Sequence, residues 1–594
     1  MMSLRAYARL TGGYWRGASA IPAWLLTASC ASLIVLTIAV QFAVTEWNRF
    51  FFDALDRKNG PEIAMAIGLF AALLPVATAV AVGGLTARMR LQVSWRQWLA
   101  TRLSEKWLGE QRFYRLSVSA PELDAPKFRI AEDARVGTEP VVDFAWGIAS
   151  AVLTATVFFG VLWSAGGSLT VGGITIPGFM TIAAIVYCLA MSGSMLKLGY
   201  PLIARIETKN RAEAKLRQDL GRIRENAESI ATIGGEAGET SLLAERTEFV
   251  ADCCRAAISR LAGMTLLTNT NGMAAPVVPL LLLSHNYLTG AITLGGVMQT
   301  AAAFVQVQQA LNWLVDNYAR ISEWSASANR VGGLWTALSD LDATAGSNGD
   351  ASIVIAESAD DRIHLQALSV ARHDGLVMID EADAIIEPSQ KVLLMGESGT
   401  GKSTLIRAVA GLWPWGTGRI LLPPNSRISF VPQAAYMPRG TLRQVLEYPA
   451  RETPGDDATL IAAMTRCGLK RFIPRLDAIE EWDKVLSGGE QQRVAFTRLL
   501  IGRPDIVILD EATSALDTAS QDSMMELFRD ELAACTVISV GHRPELRDYH
   551  DRVLTLTRRD NGVVMTSRTG VAGHGGLGRL VRRIFGGRRS RSGA

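Results

Sequence analysis

Apolar residues in the first half of the chain are grouped into long stretches without charge. Residues 17–45 and 63–87 contain no Asp, Glu, Lys or Arg, and each is long enough for a membrane helix, which needs roughly 20 apolar residues. Two longer uncharged stretches, 144–196 and 261–315, are each broken near the middle by turn-forming residues, so each is expected to form two helices. The pattern predicts six membrane spans, at approximately 21–44, 63–86, 144–164, 178–196, 264–284 and 291–315.

The charges on the two sides of these spans are unevenly distributed. Residues 1–16, 88–143 and 197–260 contain 24 Lys and Arg, whereas the connections on the opposite side contain three. Positively charged loops stay in the cytoplasm, so the N-terminus and both long loops are predicted to be cytoplasmic. Six spans then return the C-terminal half to the cytoplasm as well. Both long loops are rich in helix-forming residues and are expected to extend the membrane helices past the bilayer.

The pattern changes after Trp335, so residues 1–335 are predicted to form the transmembrane domain. Residues 336–361 contain several Asp and no Lys or Arg, which predicts a linker. Between residues 362 and 572, short β-branched runs alternate with helical segments, which predicts an α/β domain. The final segment, 573–594, is rich in Gly and Arg and is predicted to be a disordered basic tail.

Composition agrees with a membrane protein and narrows the alternatives. The chain is 49% hydrophobic with a mean hydropathy of +0.18, which is too apolar for an ordinary soluble enzyme. The net charge of +3 gives no indication of nucleic-acid binding. The six cysteines show no C-x-x-C spacing, so we expect reduced thiols without disulfides or a metal site.

The first motif that carries chemistry is GESGTGKST, at residues 396–404. It lies between an apolar run typical of a strand and a run typical of a helix, which is the setting of a phosphate-binding loop rather than of an ordinary Gly-rich turn. Lys402 would neutralise the β- and γ-phosphates, and the Ser403 hydroxyl would bind Mg²⁺. The predicted ATP-binding residues are Gly396, Glu397, Ser398, Gly399, Thr400, Gly401, Lys402, Ser403 and Thr404.

A second group of motifs lies downstream. VILDE ends in Asp510, expected to hold Mg²⁺, and Glu511, expected to polarise the attacking water. Gln433 follows a strand-like run and can bind Mg²⁺, while His542 can contact the γ-phosphate. LSGGEQQR would begin another helix at Ser487 and offer a hydroxyl and backbone N–H groups. In this order the motifs resemble the nucleotide-binding domain of ABC transporters.

That resemblance implies a dimer and a composite site. Two such domains face head to tail, and each ATP lies between the phosphate loop of one and the signature of the other, here Ser487, Gly488, Gly489 and Glu490. Asp517, in SALD, matches the D-loop of the family. The family usually stacks adenine on an upstream aromatic side chain, yet no Phe, Tyr or Trp occurs between Trp335 and Trp413. Two alternatives are open: Arg372 or His373 substitutes for the aromatic residue, or adenine is held loosely and the nucleotide preference is not specified.

Polar residues also occur inside the predicted spans. Gln299, Gln306, Gln309, Trp313 and Asp316 lie on one face of the last span, and Asn269 and Asn271 lie on the span before it. Such residues either face a water-filled cavity or join helices through hydrogen bonds. The width of the stripe favours a cavity for a substrate.

The membrane half resembles a narrower group. The segments TEWNRFFFDALDRKN (45–59), RIAEDARVGTEP (129–140), SLTVGGITIPGFM (168–180) and EWSASANR (323–330), with GLWPWGTG (411–418), are similar to the SbmA/BacA-like peptide and cobalamin uptake family with a fused ATPase. More distantly, both halves resemble the peroxisomal fatty acyl-CoA transporters. The resemblance implies an exporter-type fold used for uptake of antimicrobial peptides, cobalamin or bleomycin-like compounds.

The sequence therefore predicts a homodimeric, ATP- and Mg²⁺-dependent transporter in the inner membrane, surrounded by the lipid bilayer and moving a small molecule or a peptide. Two alternatives stay open. One is an ATP-driven exporter of drugs, lipids or peptides, and the other is an ATP-gated channel or regulatory membrane protein. The motifs specify neither the substrate, nor the direction of transport, nor whether a binding protein or a different partner chain takes part.

Overall fold

The computed structural model describes residues 2–120, 126–171, 174–347, 352–449, 456–559 and 562–569. The predicted basic tail, 573–594, and part of the predicted linker lie outside these residues. The described residues form two compact units. The first, called the membrane unit, contains residues 2–106 and 126–337, and the second, called the ATPase unit, contains residues 107–120 and 338–569.

The N-terminal part of the chain is almost entirely helical. Its elements are α1 (Met2–Gly12), α2 (Ala20–Asp56), α3 (Gly60–Leu108), α4 (Arg112–Ser119), α5 (Pro126–Phe128), α6 (Ala134–Ala165), β1 (Ser168–Val171), β2 (Ile174–Pro177), α7 (Phe179–Glu225), α8 (Ala227–Ile233), α9 (Glu236–Leu288) and α10 (Leu294–Ser347). A π-helical turn, Arg129–Asp133, precedes α6. Each predicted span overlaps one of the six long helices. The predicted break near the middle of 144–196 contains β1 and β2, which pair antiparallel.

Among the described helices, five are long and apolar enough to cross a membrane: α2, α3, α6, α7 and α9. The sixth long helix, α10, has 54 residues and does not reach the same hydropathy. Its glutamines, at 299, 306, 308 and 309, reduce the apolar character that the other five helices have. The polar stripe is therefore the feature that separates the sixth span from the rest.

Apolar side chains and close backbone approaches hold the membrane unit together. Phe158, Leu162, Met180, Leu283 and Phe304 are almost fully buried in one cluster that joins four helices. At the C-terminal end of α2, Asp53 Oδ1 accepts a hydrogen bond from the Gly295 amide of α10 at 2.9 Å. A Cβ at residue 295 would lie 2.2 Å from the Arg49 carbonyl oxygen, so only glycine fits this contact.

The ATPase unit alternates strands and helices. Its elements are β3 (Val354–Glu357), β4 (Ile363–Ala371), β5 (Val377–Ile386), β6 (Lys391–Gly396), α11 (Lys402–Val409), β7 (Gly416–Leu422), β8 (Ile428–Val431), β9 (Gly440–Thr441), α12 (Leu442–Leu446), α13 (Asp457–Arg466), β10 (Ile479–Glu480), α14 (Trp482–Val485), α15 (Gly488–Gly502), β11 (Ile506–Asp510), α16 (Thr518–Glu526), β12 (Thr536–Val540), β13 (Arg552–Arg559) and β14 (Gly562–Thr569).

The larger sheet of this unit positions the chemistry. Its strand order is β14-β13-β6-β12-β11-β8, and every pair except β13–β14 is parallel. Strands β11 and β12 are buried along their whole length, which explains why they read as continuous apolar runs. Because parallel strands end at the same edge, the residues after β6, β8, β11 and β12 are brought together there.

Candidate nucleotide site and the polar positions of the membrane helices

The loop between β6 and α11 has the backbone of a phosphate-binding loop. Gly399 and Gly401 have φ angles of +79° and +84°, in the left-handed region that favours glycine. A Cβ on Gly396 would lie 2.7 Å from the Leu556 carbonyl oxygen, so this position also requires glycine. Glu397 and Ser398 are exposed at the turn of the loop, and Thr404 lies in the first turn of α11.

Lys402 is folded onto this loop. Its Nζ donates to the Gly396 and Glu397 carbonyl oxygens at 3.0 and 2.7 Å, and the Thr400 hydroxyl donates to the Glu397 carbonyl oxygen at 2.9 Å. Burial lowers the pKa of Lys402, and the carboxylates of Glu511 and Asp510 partly offset this effect. A cation held at the N-terminus of α11, among backbone N–H groups, suits a phosphate chain.

Ser403 and Asp510 form a direct pair beneath the loop. The Ser403 hydroxyl donates to Asp510 Oδ1 at 2.9 Å. Burial raises the pKa of Asp510, while the hydrogen bond from Ser403 acts in the opposite direction. A hydroxyl and a carboxylate oxygen this close are ligands that Mg²⁺ accepts, and a cation would also favour the ionised form of Asp510. The residues present therefore fit the predicted metal.

Glu511 is the point at which the predicted catalytic residues meet. Gln433 Nε2 donates to Glu511 Oε2 at 3.1 Å, and His542 Nε2 lies 3.2 Å from Glu511 Oε1. The Glu511 backbone has a φ of +49° and its amide donates to the Val540 carbonyl oxygen, which fixes the carboxylate at the end of β11. The three side chains follow β8, β11 and β12, so the parallel sheet brings them together although they are distant in sequence.

The signature residues begin α15 with a capping box. The Ser487 hydroxyl and amide both donate to Glu490 Oε2, at 2.8 and 3.0 Å. Burial raises the pKa of Glu490, but the hydrogen bonds from Ser487 and the nearby Arg471 outweigh it, so the pKa is lowered overall. Gly488 and Gly489 form the first helical turn, which leaves the backbone N–H groups of this turn at a helix N-terminus.

Gln492 is a residue whose position the sequence did not predict. Its side chain is 2% exposed and makes three contacts. Nε2 donates to the Gln433 carbonyl oxygen and to Ser514 Oγ, both at 3.2 Å, and Oε1 accepts from the Ala515 amide at 3.0 Å. It therefore joins the signature helix, the Gln433 segment and the SALD segment. The only sequence signal was its place inside LSGGEQQR.

Asp517 and Arg543 hold the SALD segment. Asp517 caps α16 by accepting from the Ser520 amide at 2.8 Å, and these hydrogen bonds lower the pKa of Asp517. Arg543, which belongs to none of the predicted motifs, donates to the carbonyl oxygens of Leu516 and Ser514 at 3.0 and 3.1 Å. The segment is thus fixed from both ends.

The turn between β4 and β5 lies upstream of the phosphate loop, where the missing aromatic residue was expected. Arg372 and His373 are both exposed on this turn. The turn is closed by hydrogen bonds between the Arg372 and Leu376 backbones and between Gly375 and Arg372. It offers a guanidinium and an imidazole, two planar groups that can stack on a purine.

Two models of known protein families match parts of the chain. Residues 17–288 match "ABC transporter transmembrane region 2", and residues 379–514 match "ABC transporter". A Haemophilus influenzae protein named "Uncharacterized ABC transporter ATP-binding protein" is 31% identical over 530 residues, which are 88% of this chain and 88% of the relative. The chain belongs to the ABC transporter family.

Two further comparisons describe this ABC transporter. The mouse protein named "Lysosomal cobalamin transporter ABCD4" is 26% identical over 499 residues, which are 78% of this chain and 80% of that protein. The structure of a bacterial Atm1-family ABC exporter with ATP bound matches with a TM-score of 0.68 at 18% identity, covering 96% of this chain and 99% of that one. The predicted fold, helical membrane domain plus α/β ATPase domain, and the predicted function as an ATP-driven transporter are confirmed.

The polar positions of the transporter's membrane helices fall into two groups. Asn271 and Gln299 are buried, and both make hydrogen bonds between helices. Tyr187 on α7 donates its hydroxyl to Asn271 Oδ1 at 2.8 Å, and Gln299 Nε2 donates to Glu46 Oε1 on α2 at 2.5 Å. Both contacts join helices. The side-chain oxygen of Gln299, Oε1, is buried and has no hydrogen-bond partner among the described residues.

The second group is accessible in a single copy of the transporter. Asn269, Gln309 and Asp316 are exposed, and Gln306 and Trp313 are half-buried. The Trp313 ring packs onto Gly147 of α6, where a Cβ would lie 2.2 Å from the indole nitrogen. The predicted polar positions are therefore divided between positions that join helices and positions that are accessible in a single copy.

Proposed function

We propose that the transporter is a homodimer of the inner membrane that imports hydrophilic or amphiphilic solutes, such as cobalamin, antimicrobial peptides or bleomycin-like compounds. The observation that carries the hydrolytic part of this proposal is the meeting of Gln433 and His542 at Glu511. A channel that only binds nucleotide has no need for this complete set. The arrangement therefore favours a transport cycle over the alternative of an ATP-gated channel or regulatory protein.

The dimer follows from the number of motifs in one chain. Each chain holds one phosphate loop and one signature, Ser487–Glu490, and the resemblance places ATP between the loop of one copy and the signature of the other. Both halves are intact in this sequence, so two identical chains would form two competent sites. ATP binding would close the two ATPase domains and hydrolysis would release them, which drives alternating access.

Within each site we assign separate roles to the clustered residues. Lys402 would neutralise the phosphates, while Ser403, Asp510 and Gln433 would hold Mg²⁺. The metal would supply charge stabilisation on the phosphate oxygens. Glu511 orients and polarises the attacking water, and His542 contacts the γ-phosphate.

The substrate class rests on a relative and on the accessible polar positions. The mouse relative is named as a cobalamin transporter, and the motifs at 45–59 and 323–330 resemble the SbmA/BacA-like uptake group. Side-chain amides lie along the membrane helices α9 and α10, at Asn269, Gln306 and Gln309. A polar solute can exchange its hydration for hydrogen bonds to these amides. Export of drugs, lipids or peptides is the second candidate, because the fold matches that of an Atm1-family exporter.

Transport into sealed proteoliposomes tests the proposal. Vesicles carrying the full-length protein would receive labelled cobalamin or a labelled cationic peptide, with ATP supplied only inside or only outside. The protein inserts in both orientations. Where the ATPase domains face the outside of the vesicle, import moves labelled solute out of the vesicle, and where they face the inside, import moves it in. Supplying ATP on one side activates only one of the two orientations. The matched control is Glu511→Gln.

We expect solute movement towards the side that holds the ATPase domains, and only when ATP is on that side. Movement away from that side would replace the import proposal with export. ATP consumption without net movement of either solute in the wild type would favour the ATP-gated channel. Unchanged transport by Glu511→Gln would remove that residue from the role assigned to it.

A further inference from the structure

A groove between α2 and α3 lies outside the sites described so far. It has a volume of about 440 Å³ and is lined by Leu26 on α2 and by Leu85, Thr86, Met89, Arg90, Val93 and Ser94 on α3. Leu85, Met89 and Val93 are spaced by four residues on one face of α3 and are 49%, 53% and 60% exposed. Leu85 belongs to the predicted span, which ends at residue 86, and Met89 and Val93 lie in the next two turns, where acyl chains give way to lipid headgroups.

The register of the two helices shows which residues of α2 lie beside the groove residues of α3. Trp47 Nε1 donates to the Ala66 carbonyl oxygen near one end, and a Cβ on Gly83 would lie 3.5 Å from Leu33. The antiparallel pairing that these contacts define puts Arg90 level with Leu26. Ile21, Trp24 and Leu25, which precede Leu26, are also exposed and apolar. The apolar surface therefore continues past Arg90 towards the start of α2.

Arg90 differs from its neighbouring cation. Arg88 Nε lies 3.3 Å from Asp143 Oδ1, and its guanidinium stacks over Trp146. Arg90 is exposed and forms no ion pair or hydrogen bond with the residues that the structure describes. A guanidinium on a lipid-facing surface is unfavourable unless an anion compensates it. The described residues supply no anion to Arg90, so its guanidinium is available to a lipid phosphate.

Aromatic residues pack together at the same end of the two helices. Trp15 donates its indole N–H to Thr27 on α2 and packs edge-on against Trp95 on α3, with ring centroids 4.9 Å apart. Thr27 and Trp95 directly follow the groove residues Leu26 and Ser94. Trp24 on α2, two residues before Leu26, is 60% exposed. Exposed Trp and Tyr gather at the level of lipid headgroups, so a phosphate there is within the reach of a long arginine side chain.

We propose that this groove binds an anionic phospholipid of the leaflet that faces the long, positively charged loops, with its phosphate on Arg90 and one acyl chain along Leu85 and Met89. The shape, the apolar lining and the single unpaired cation favour a lipid over a soluble anion, which would leave the apolar lining exposed. This inference is independent of the direction of transport and of the transported solute.

Native mass spectrometry of the full-length protein in detergent tests the site. Equal amounts of phosphatidylglycerol and phosphatidylethanolamine would be added to the wild type, Arg90→Gln, Arg90→Lys and Arg57→Gln. Arg57 is an exposed cation after the other end of α2 and serves as the matched control. We expect the wild type to retain more phosphatidylglycerol, and Arg90→Gln to lose that preference by about fivefold, the effect of one cation near a membrane surface.

Arg90→Lys keeps the charge and should keep most of the preference, and Arg57→Gln should leave it unchanged. Equal retention of the two lipids by the wild type, or full retention by Arg90→Gln, would overturn the proposal. Displacement of the lipid by millimolar glycerol phosphate would show a soluble-anion site instead. Efficient disulfide formation between copies of a Met89→Cys variant in membranes would show that a second copy covers the groove, which also overturns it.

Discussion

The two units of the transporter use polar residues in opposite ways. In the ATPase unit, segments far apart in sequence converge on a few points, such as Glu511, and nearly every polar group there has a fixed partner. In the membrane unit, polar side chains are spread along α9 and α10, and only some of them are fixed by neighbours. A reaction requires one geometry, whereas a path for a solute requires many weak contacts in series.

The largest effect is expected from a change at Glu511, the residue on which the segments of the ATPase unit converge. Glu511→Gln keeps the shape of the side chain but removes the charge that polarises water, so the ATPase rate should fall at least about 100-fold. Nucleotide binding should persist, because Lys402 and the loop are unchanged. A phosphate-release assay together with equilibrium binding of labelled ATP measures both. Glu526 is an exposed carboxylate of the same unit, and Glu526→Gln should leave both the ATPase rate and ATP binding unchanged. Retained hydrolysis would mean that another group activates the water.

The second effect concerns a buried histidine of the same unit. His550 Nδ1 donates to the Leu546 carbonyl oxygen at 2.6 Å, and Nε2 accepts from the Ser539 hydroxyl at 2.8 Å. Burial lowers the pKa of His550 from 6.5 to about 4, with the Leu546 contact acting against this. Folding therefore disfavours protonation. As the pH falls from 6.5 to 4, the unit should lose stability, by about 3 kcal/mol at most.

Thermal unfolding at a series of pH values measures this loss, and His550→Gln should flatten the profile in the same range. The transition to follow is that of the ATPase unit, which can be recognised by its upward shift with added ATP. A profile that keeps its slope in His550→Gln would assign the pH dependence to other groups.

The third prediction concerns Gln492, which joins the signature helix to the SALD segment without being assigned a role in hydrolysis. Gln492→Met fills the same space but leaves the Ala515 amide and Ser514 hydroxyl without their partners, which costs about 1–3 kcal/mol. We expect an ATPase rate reduced by about tenfold, with ATP affinity nearly unchanged. Gln492→Glu, which keeps the acceptor for Ala515, should lose less. Equal losses in both variants would show that the Ala515 contact is not the important one.

The smallest effect is expected in the membrane unit, where two neighbouring asparagines offer a matched pair. Asn271→Leu removes the acceptor of the Tyr187 hydroxyl, and hydrogen bonds between membrane helices contribute about 0.6 kcal/mol on average. It should lower thermal stability slightly and leave transport intact. Asn269→Leu, at an exposed position, should do the reverse and weaken transport of a polar solute. Identical behaviour of the two variants would remove the division between joining and solute-facing positions.

The sequence predicted local features well because local physics determines them. Uncharged length is enough to predict a membrane helix, and the phosphate loop follows from glycines and Lys402 within nine residues. It did not predict the contacts of Gln492 with residues 433, 514 and 515, because no periodic pattern connects positions that far apart. The same reason explains why Asn271 and Asn269 could not be distinguished. They differ only in which neighbour the folded chain brings near.

The contact between Asp53 and Gly295 has a consequence for the electrostatics at the start of α10. A helix N-terminus carries partial positive charge and attracts anions, but at the start of α10 the Asp53 carboxylate already occupies this position. An anionic solute, such as an acyl-coenzyme A with its phosphates, gains no attraction from that helix end. Neutral and cationic solutes lose nothing there. By this electrostatic criterion, the start of the sixth long helix is not an anion-binding site, unlike the start of α11 in the phosphate loop.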